Sequence, residues 1–215
     1  METATGTIRP LQPDAPDLAA LERICLLTAA AGRDGRAAYP NLPALPGAWW
    51  AVPYAVAPGG RGFVLERDGQ VSGYAVGTAA TEPFNAWLEA EWQPRLRRRW
   101  PADRDSARLT AAERATLTLA RQSPLRRRPG LTDLFPAHVH INLLAAARGR
   151  GAGRQLLGTL LAALAADGAP GVHLGVARSN VGAVRFYEAL GFGHLAAETD
   201  TVFMGRLLRP AEQAR

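Results

Sequence analysis

The stretch "HINLLAAARGRGAGRQLL", residues 140–157, decides how the whole chain is read. An apolar run leads into three alanines, then into alternating glycine and arginine, and then into a helical pattern. A strand that enters a helix through a glycine-rich turn makes an anion cradle. The first turn of a helix leaves backbone N–H groups without intrahelical partners and carries partial positive charge. Gly149, Gly151 and Gly153 let that backbone approach a phosphate with no Cβ in the way. Arg148, Arg150 and Arg154 stand where they would add charge-assisted contacts at the rim.

Two well-known cradles fit poorly. A P-loop needs Gly-Lys-Ser/Thr, and this chain has no lysine at all. The dinucleotide fingerprint wants Gly-x-Gly-x-x-Gly with an acidic residue about 20 positions on. Here the third glycine comes one residue early, and Asp167 falls at the end of the helix. All 25 basic residues are arginine, and the net charge of +6 favours anionic ligands such as phosphates. Because arginine stands in for every lysine, no single arginine is evidence of a chosen geometry.

Outward from the turn, strands and helices alternate. "AHVHINLL" reads as a strand, "GAGRQLLGTLLAALAADG" as a long helix and "GVHLGVA" as a strand. "SNVGAVRFYEALG" reads as a helix capped by Ser179 or Asn180 and ended by Gly191, and "TVFMGRLL" closes the sheet. Upstream, "TGTIRPL" is a short strand, and a helix follows from Asp14 with Gly32 as its stop. The proline-studded residues 39–58 read as an ordered aromatic loop. Two β-rich runs flank Arg67-Asp68-Gly69-Gln70, a tight hairpin. "FNAWLEAEWQPRLRRRW" is helical until Pro94 breaks it, and Thr110 with Glu113 forms a capping box for a second helix. This order predicts an α/β chain with one mixed sheet in a single domain, residues 1–215.

Two motifs carry a resemblance. Arg148-x-x-Gly151-x-Gly153 is similar to the Arg/Gln-x-x-Gly-x-Gly/Ala signature of the GNAT superfamily of N-acetyltransferases. About 25 residues on, "ARSNVGAVRFYEALGF" resembles that family's second motif, with Asn180, Ala183, Phe186, Tyr187, Gly191 and Phe192 in its places. More finely, "PYAVAP", "FNAWLEAEWQPRLRRRW", "FPAHVHINLL" and "GVHLGVARSNVGAVRFYEALGF" resemble the acetyltransferase-like domain of O-GlcNAcases and its free-standing bacterial relatives. The resemblance implies a GNAT fold: a mostly antiparallel sheet with splayed central parallel strands, flanked by helices. It implies a helical insertion at about 82–136, between the third and fourth strands, and a coenzyme-binding core at about 137–194.

It also implies acetyl-CoA as co-substrate. The main chain around Leu143 and Leu144 would pair with the pantetheine arm. The amides of Gly149, Arg150, Gly151, Ala152, Gly153 and Arg154 would hold the pyrophosphate. Asn180 and Ala183 would line the other side, and Tyr187 would hydrogen-bond the departing thiolate. Packing beside Phe186 is the plainer reading of Tyr187. The implied activity is direct acetyl transfer from acetyl-CoA to a primary amine of a small molecule or protein. The alternative is a catalytically silent coenzyme-binding module, since some members of the O-GlcNAcase-like group are suspected to lack activity.

His138 and His140 lie two apart on a strand and share one face with Asn142. An imidazole titrating near pH 6.5 could relay the acceptor's proton. Satisfied pocket-wall histidines are the plainer reading. Two-thirds of a zinc site is a further one, with no third ligand evident, so no metal is expected. Whether Tyr54, Glu82, His138 and His140 converge beyond the thioester is the geometric question. The arginine-rich "PRLRRRW" and "LRRRPG" could bracket a nucleic-acid surface with Trp87, Trp92 and Trp100 as stacking platforms. We favour amphipathic helices with tryptophan inward and arginine solvated, so nucleic acid is a weak candidate partner. Cys25 reads as a small buried residue. With no signal peptide and no long apolar span evident, a cytoplasmic monomer or homodimer without membrane contact is expected.

Overall fold

The protein is described by a computed structural model that covers residues 6–101, 106–121 and 130–208. The strands are β1 (Thr7–Pro10), β2 (Gly60–Arg67), β3 (Gln70–Thr78), β4 (Ala137–Leu143), β5 (Gly171–Ala177), β6 (Gly193–Ala197) and β7 (Thr201–Leu207). They form one sheet in the order β1-β2-β3-β4-β5-β7-β6. The β2–β3 hairpin turns at Asp68 and Gly69, both at positive φ (51° and 71°), as the Asp-Gly pair requires. Only β4 and β5 run parallel, and they pair only at Ala137–Val172 and His138–His173. Beyond His138 the two strands part, which opens the sheet.

Helices cover both faces. Helix α8 (Ala152–Ala166) lays its apolar stripe across β2, β3 and β4. Leu156, Leu157, Leu160 and Leu164 on it are wholly buried, at about 1.5–3 kcal/mol for each such side chain. On the other face, α1 (Ala15–Leu26) and α3 (Val52–Val56) pack through Leu21, Ile24 and Val52 onto Val64, Tyr74 and Val76. Cys25 is buried there, and burial pushes its thiol up to about 12, which leaves it unreactive.

Several expectations need correction. Helix α1 ends at Leu26, not at Gly32, because the Thr28 and Ala29 amides step down to acceptors three residues back, the Cys25 and Leu26 carbonyls (3.2 and 3.3 Å). The proline-rich segment is not a loop throughout: it holds α2 (Leu45–Trp50) and α3. Pro46 and Pro53 sit in their first turns, where a missing N–H costs nothing. Pro94 does not break its helix either. Helix α4 (Thr81–Trp87) passes through a π-turn at Leu88–Trp92 into α5 (Gln93–Arg99). The wider turn absorbs the proline, and the Gln93 amide reaches back five residues to Leu88. Strand β6 was not foreseen, since its residues include no Val, Ile, Thr, Phe, Tyr or Trp and all five are exposed.

Helices α4, α5, α6 (Ala111–Arg121) and α7 (Leu131–Leu134) lie between β3 and β4, as the insertion predicts. The capping box forms, with Thr110 N to Glu113 Oε2 at 2.9 Å and Glu113 N to Thr110 Oγ1 at 3.1 Å. Glu113 also accepts the Asn41 and Leu42 amides (2.7 and 2.8 Å), so one buried carboxylate ties the insertion to the proline-rich segment. Trp100 is buried, and Trp92 donates to the Ala48 carbonyl (2.8 Å). Arg95 and Arg99 lie over the rings of Trp92 and Trp100, at 5.9 and 4.6 Å from the centroids. Arg126, Arg127 and Arg128 of the second basic run lie outside the described residues. No helix among the described residues is long and apolar enough to cross a membrane.

Candidate active site

The turn after β4 has an unusual backbone. Gly149, Arg150 and Gly151 all have positive φ (83°, 49° and 77°). Glycine accepts this freely, but Arg150 does so at a steric cost of about 1–2 kcal/mol. The left-handed run gives way to the right-handed helix at Ala152, and that change of hand turns successive N–H groups toward one concavity, a nest. It ends at Gly151, which caps α8 without any side-chain contribution. At Gly153 the crowding is different: a Cβ there would stand 3.3 Å from the Phe186 ring.

Below the turn lies a cleft of about 530 Å³. It is lined by Ile141, Asn142 and Leu143 of β4, by Gly149, Gly151 and Gly153, and by Asn180, Ala183, Phe186 and Tyr187. Helix α9 (Val181–Glu188) supplies most of the last group, held at its start by Asn180 Oδ1 accepting the Ala183 amide (3.2 Å). Strand geometry decides which β4 backbone faces the cleft. The Leu144 amide donates to the Ser72 carbonyl (2.9 Å), so Asn142 and Leu144 face β3. By alternation, Ile141 and Leu143 turn N–H and C=O toward the gap left by β5. Of the pair Leu143 and Leu144, only Leu143 presents its backbone there.

The arginines do not all stand at the rim. The Arg148 guanidinium donates to the Leu143 carbonyl (3.0 Å) and to the Gly32 carbonyl, tying the loop after α1 to the turn. That loop contributes Ala31, Gly32 and Arg33 to the cleft, none of which the sequence pointed to. Arg154 donates to the Ala189 carbonyl at 3.2 Å. Tyr187 is buried, edge-on to Phe186 and Phe192, and burial raises its phenol above the ordinary value. Its hydroxyl meets no hydrogen-bond partner among the described residues.

Further along β4 a second cavity of about 360 Å³ opens. Tyr54, Glu82, His138 and His140 all line it, so the four do converge. Thr81 Oγ1 gives its one proton to the Pro136 carbonyl (2.6 Å), and it must therefore accept from His138 Nδ1 (2.8 Å). That leaves His138 Nε2 to accept from the Tyr54 hydroxyl at 2.8 Å. Asn142 Nδ2 donates to the Tyr74 hydroxyl (2.9 Å) and to His140 Nε2 (3.1 Å), which makes His140 an acceptor at Nε2 too.

Burial lowers both rings from 6.5, His138 to about 3 and His140 to about 4. For His138 the neighbouring His173 and His140 add to the effect. This corrects the expectation of an imidazole titrating near neutrality, because removing a charge from water outweighs the hydrogen bonds present. His173 was missed. Its ring lies 5.7 Å from that of His138, and its Nδ1 donates to the Phe135 carbonyl at 2.6 Å. Among the described residues no group of side chains could hold a metal ion.

The model of the acetyltransferase (GNAT) family matches residues 125–192, the span from the end of the insertion through both motifs. The crystal structure of SsHAT is 36% identical, with a TM-score of 0.83, over 96% of this chain and 100% of that one. Rattus norvegicus protein O-GlcNAcase is 25% identical over 150 residues, which is 68% of this chain but 16% of that protein. The structure of yncA from Salmonella typhimurium, solved with its cofactor acetyl-CoA, has a TM-score of 0.54. It covers 99% of this chain and 98% of its own at 20% identity, so it speaks for the fold alone.

Proposed function

This chain belongs to the acetyltransferase (GNAT) family, and from that premise we propose that it moves the acetyl group of acetyl-CoA directly onto a primary amine. The observation that carries the reading is the left-handed turn at Gly149, Arg150 and Gly151, where it enters α8 at the mouth of the gap between β4 and β5. A pyrophosphate bound there meets converging N–H groups and the positive end of α8. The pantetheine arm then runs down the gap and pairs with the cleft-facing backbone of Ile141 and Leu143, as an added strand would. Asn180 and Ala183 flank it from α9.

The thioester then lies along β4 between the two cavities, with the acceptor in the second. The amine nitrogen attacks the thioester carbon, the C–S bond breaks, and the amine's proton ends on the coenzyme sulfur. Tyr187 supplies a phenol to the departing thiolate, and burial keeps it protonated until it is needed. His138 and His140 hold their proton-accepting nitrogens toward Tyr54 and Asn142, so they act on the acceptor as neutral, oriented groups. The amine therefore enters the reaction as its free base. Proximity of the two bound reactants supplies much of the rate.

Calorimetry with acetyl-CoA, followed by free-thiol release with a panel of amines, tests the reading. Saturable binding with amine-dependent thiol release is expected. Absence of coenzyme binding would overturn it. Binding without release from any amine would point to the silent module.

A further inference from the structure

His140 is the last residue of β4 to line the second cavity, and Ile141 is the first to line the coenzyme cleft. The imidazole therefore stands where the two cavities meet along the strand. Its two nitrogens have different surroundings. Nε2 is turned inward, 3.1 Å from Asn142 Nδ2 and 3.1 Å from the hydroxyl of the wholly buried Tyr74. The Tyr74 ring stacks on it with centroids 5.8 Å apart, which fixes the plane of the imidazole. An amide nitrogen can only donate, so Nε2 is bare, and a neutral ring then carries its proton on Nδ1. No group among the described residues accepts from that Nδ1–H. The atom is not sealed inside the wall either, so it opens on the cavity that the ring lines. His138 keeps no such nitrogen: Thr81 Oγ1 holds its Nδ1 and the Tyr54 hydroxyl its Nε2, both at 2.8 Å.

We propose that His140 is a catalytic hydrogen-bond donor, its Nδ1–H aimed at the thioester carbonyl oxygen, and that Asn142 is the positioning residue that keeps the proton on that nitrogen. The inference rests on the acetyl-transfer reading above and gives its transition state a side chain. A donor at this place has no use for the amine, whose lone pair must stay free to attack. The carbonyl oxygen does need one. As the amine nitrogen bonds to the carbonyl carbon, an electron pair of C=O moves onto oxygen, and Nδ1–H meets the new charge without giving up its proton. Collapse restores C=O and breaks C–S, and the electron pair leaves on sulfur, which takes up the amine's proton. A neutral imidazole serves as such an electrophile without burying a cation. Burial lowers the ring's pKa to about 4, so it stays neutral at any pH where the amine is free to react.

Two measurements test the assignment. His140→Ala should lower kcat about a hundredfold, the usual cost of one oxyanion donor, with KM for acetyl-CoA within about threefold. His140→Gln, whose amide can still donate, should recover about tenfold of that loss. A glutamine variant as slow as the alanine one would speak for a proton-accepting role and overturn the proposal. The second measurement needs no turnover: the infrared band of bound acetyl-CoA, isotope-labelled at the thioester carbonyl. A hydrogen bond to the oxygen weakens C=O, so His140→Ala should move the band to higher frequency. A ring that merely packs would leave it in place, and an unmoved band overturns the proposal. So does NMR of the labelled ring nitrogens if it finds the proton on Nε2 in the coenzyme-bound protein. Failure to bind acetyl-CoA removes the transfer reading itself, whereas binding with an unmoved band removes only the role of His140.

Discussion

The two cavities of this protein lie on successive stretches of one strand and work by opposite means. The first, around Ile141 to Gly153, offers backbone: glycines, exposed strand edges and three arginines, with no carboxylate among its described lining residues. The second, around His138 and His140, offers side chains: aromatic rings, neutral imidazoles and the Glu82 carboxylate. Backbone N–H groups suit a ligand whose phosphates are the same in every reaction. Side chains suit a ligand that differs from one family member to the next. On the proposed function, the contrast lets one fold keep its coenzyme and exchange its acceptor.

The sharpest way to break that contrast is at Gly151. A β-branched side chain cannot adopt its φ of 77° without strain. Gly151→Val should weaken acetyl-CoA binding at least about thirtyfold by calorimetry, from strain and a collapsed nest together. Affinity within about twofold of the wild type would mean that the turn does not hold the pyrophosphate. Next in size is Tyr187→Phe. It should lower kcat about ten- to a hundredfold while acetyl-CoA affinity stays nearly constant, as removal of a proton donor to the leaving group requires.

The second cavity makes its own prediction with pH. His138 and His140 titrate near 3 and 4, so the rate profile should show no step near pH 6.5. Instead kcat/KM should rise toward the acceptor's own pKa, as free base accumulates. A step near 6.5 that His138→Gln or His140→Gln abolished would restore a histidine base. Stability runs the same way. The unfolded rings take up protons from about pH 6.5, while the folded ones wait until about 3 and about 4. Stability is therefore complete above pH 6.5 and falls as the pH drops through that interval, by about 1.4 kcal/mol per pH unit for each ring. Denaturant melts at several pH values measure it. The smallest effect belongs to Gly153→Ala, whose new Cβ stands 3.3 Å from Phe186. A few-tenths-ångström shift of the ring accommodates it, and coenzyme affinity should change by no more than about threefold.

The sequence was most readable where one residue type has one physical use. The Asp68-Gly69 hairpin, the Thr110/Glu113 capping box and the Asn180 cap all formed as their local chemistry demands. It was least readable where tertiary context decides. Pro46, Pro53 and Pro94 look like breakers by composition, yet each sits in the first turn of a helix. Strand β6 has no strand-forming residues and exists because β7 offers it an open edge. The histidine pair showed the same limit: sequence placed both rings on one face, and only burial set their charge.

From its residues alone this chain declared an α/β sheet, a glycine-rich strand–turn–helix junction at residues 148–154 and the motifs of a known acetyltransferase family. Each of these depends on neighbours close in the chain. The tertiary structure decided that β4 and β5 part after His138, that Arg148 and Arg154 bind protein carbonyls, and that Tyr54, Glu82, His138 and His140 line one cavity. That cavity is assembled from segments between Trp49 and Phe203. Residues so far apart in the chain meet only through the packing of α3, α4 and the sheet, and no local pattern can encode that meeting.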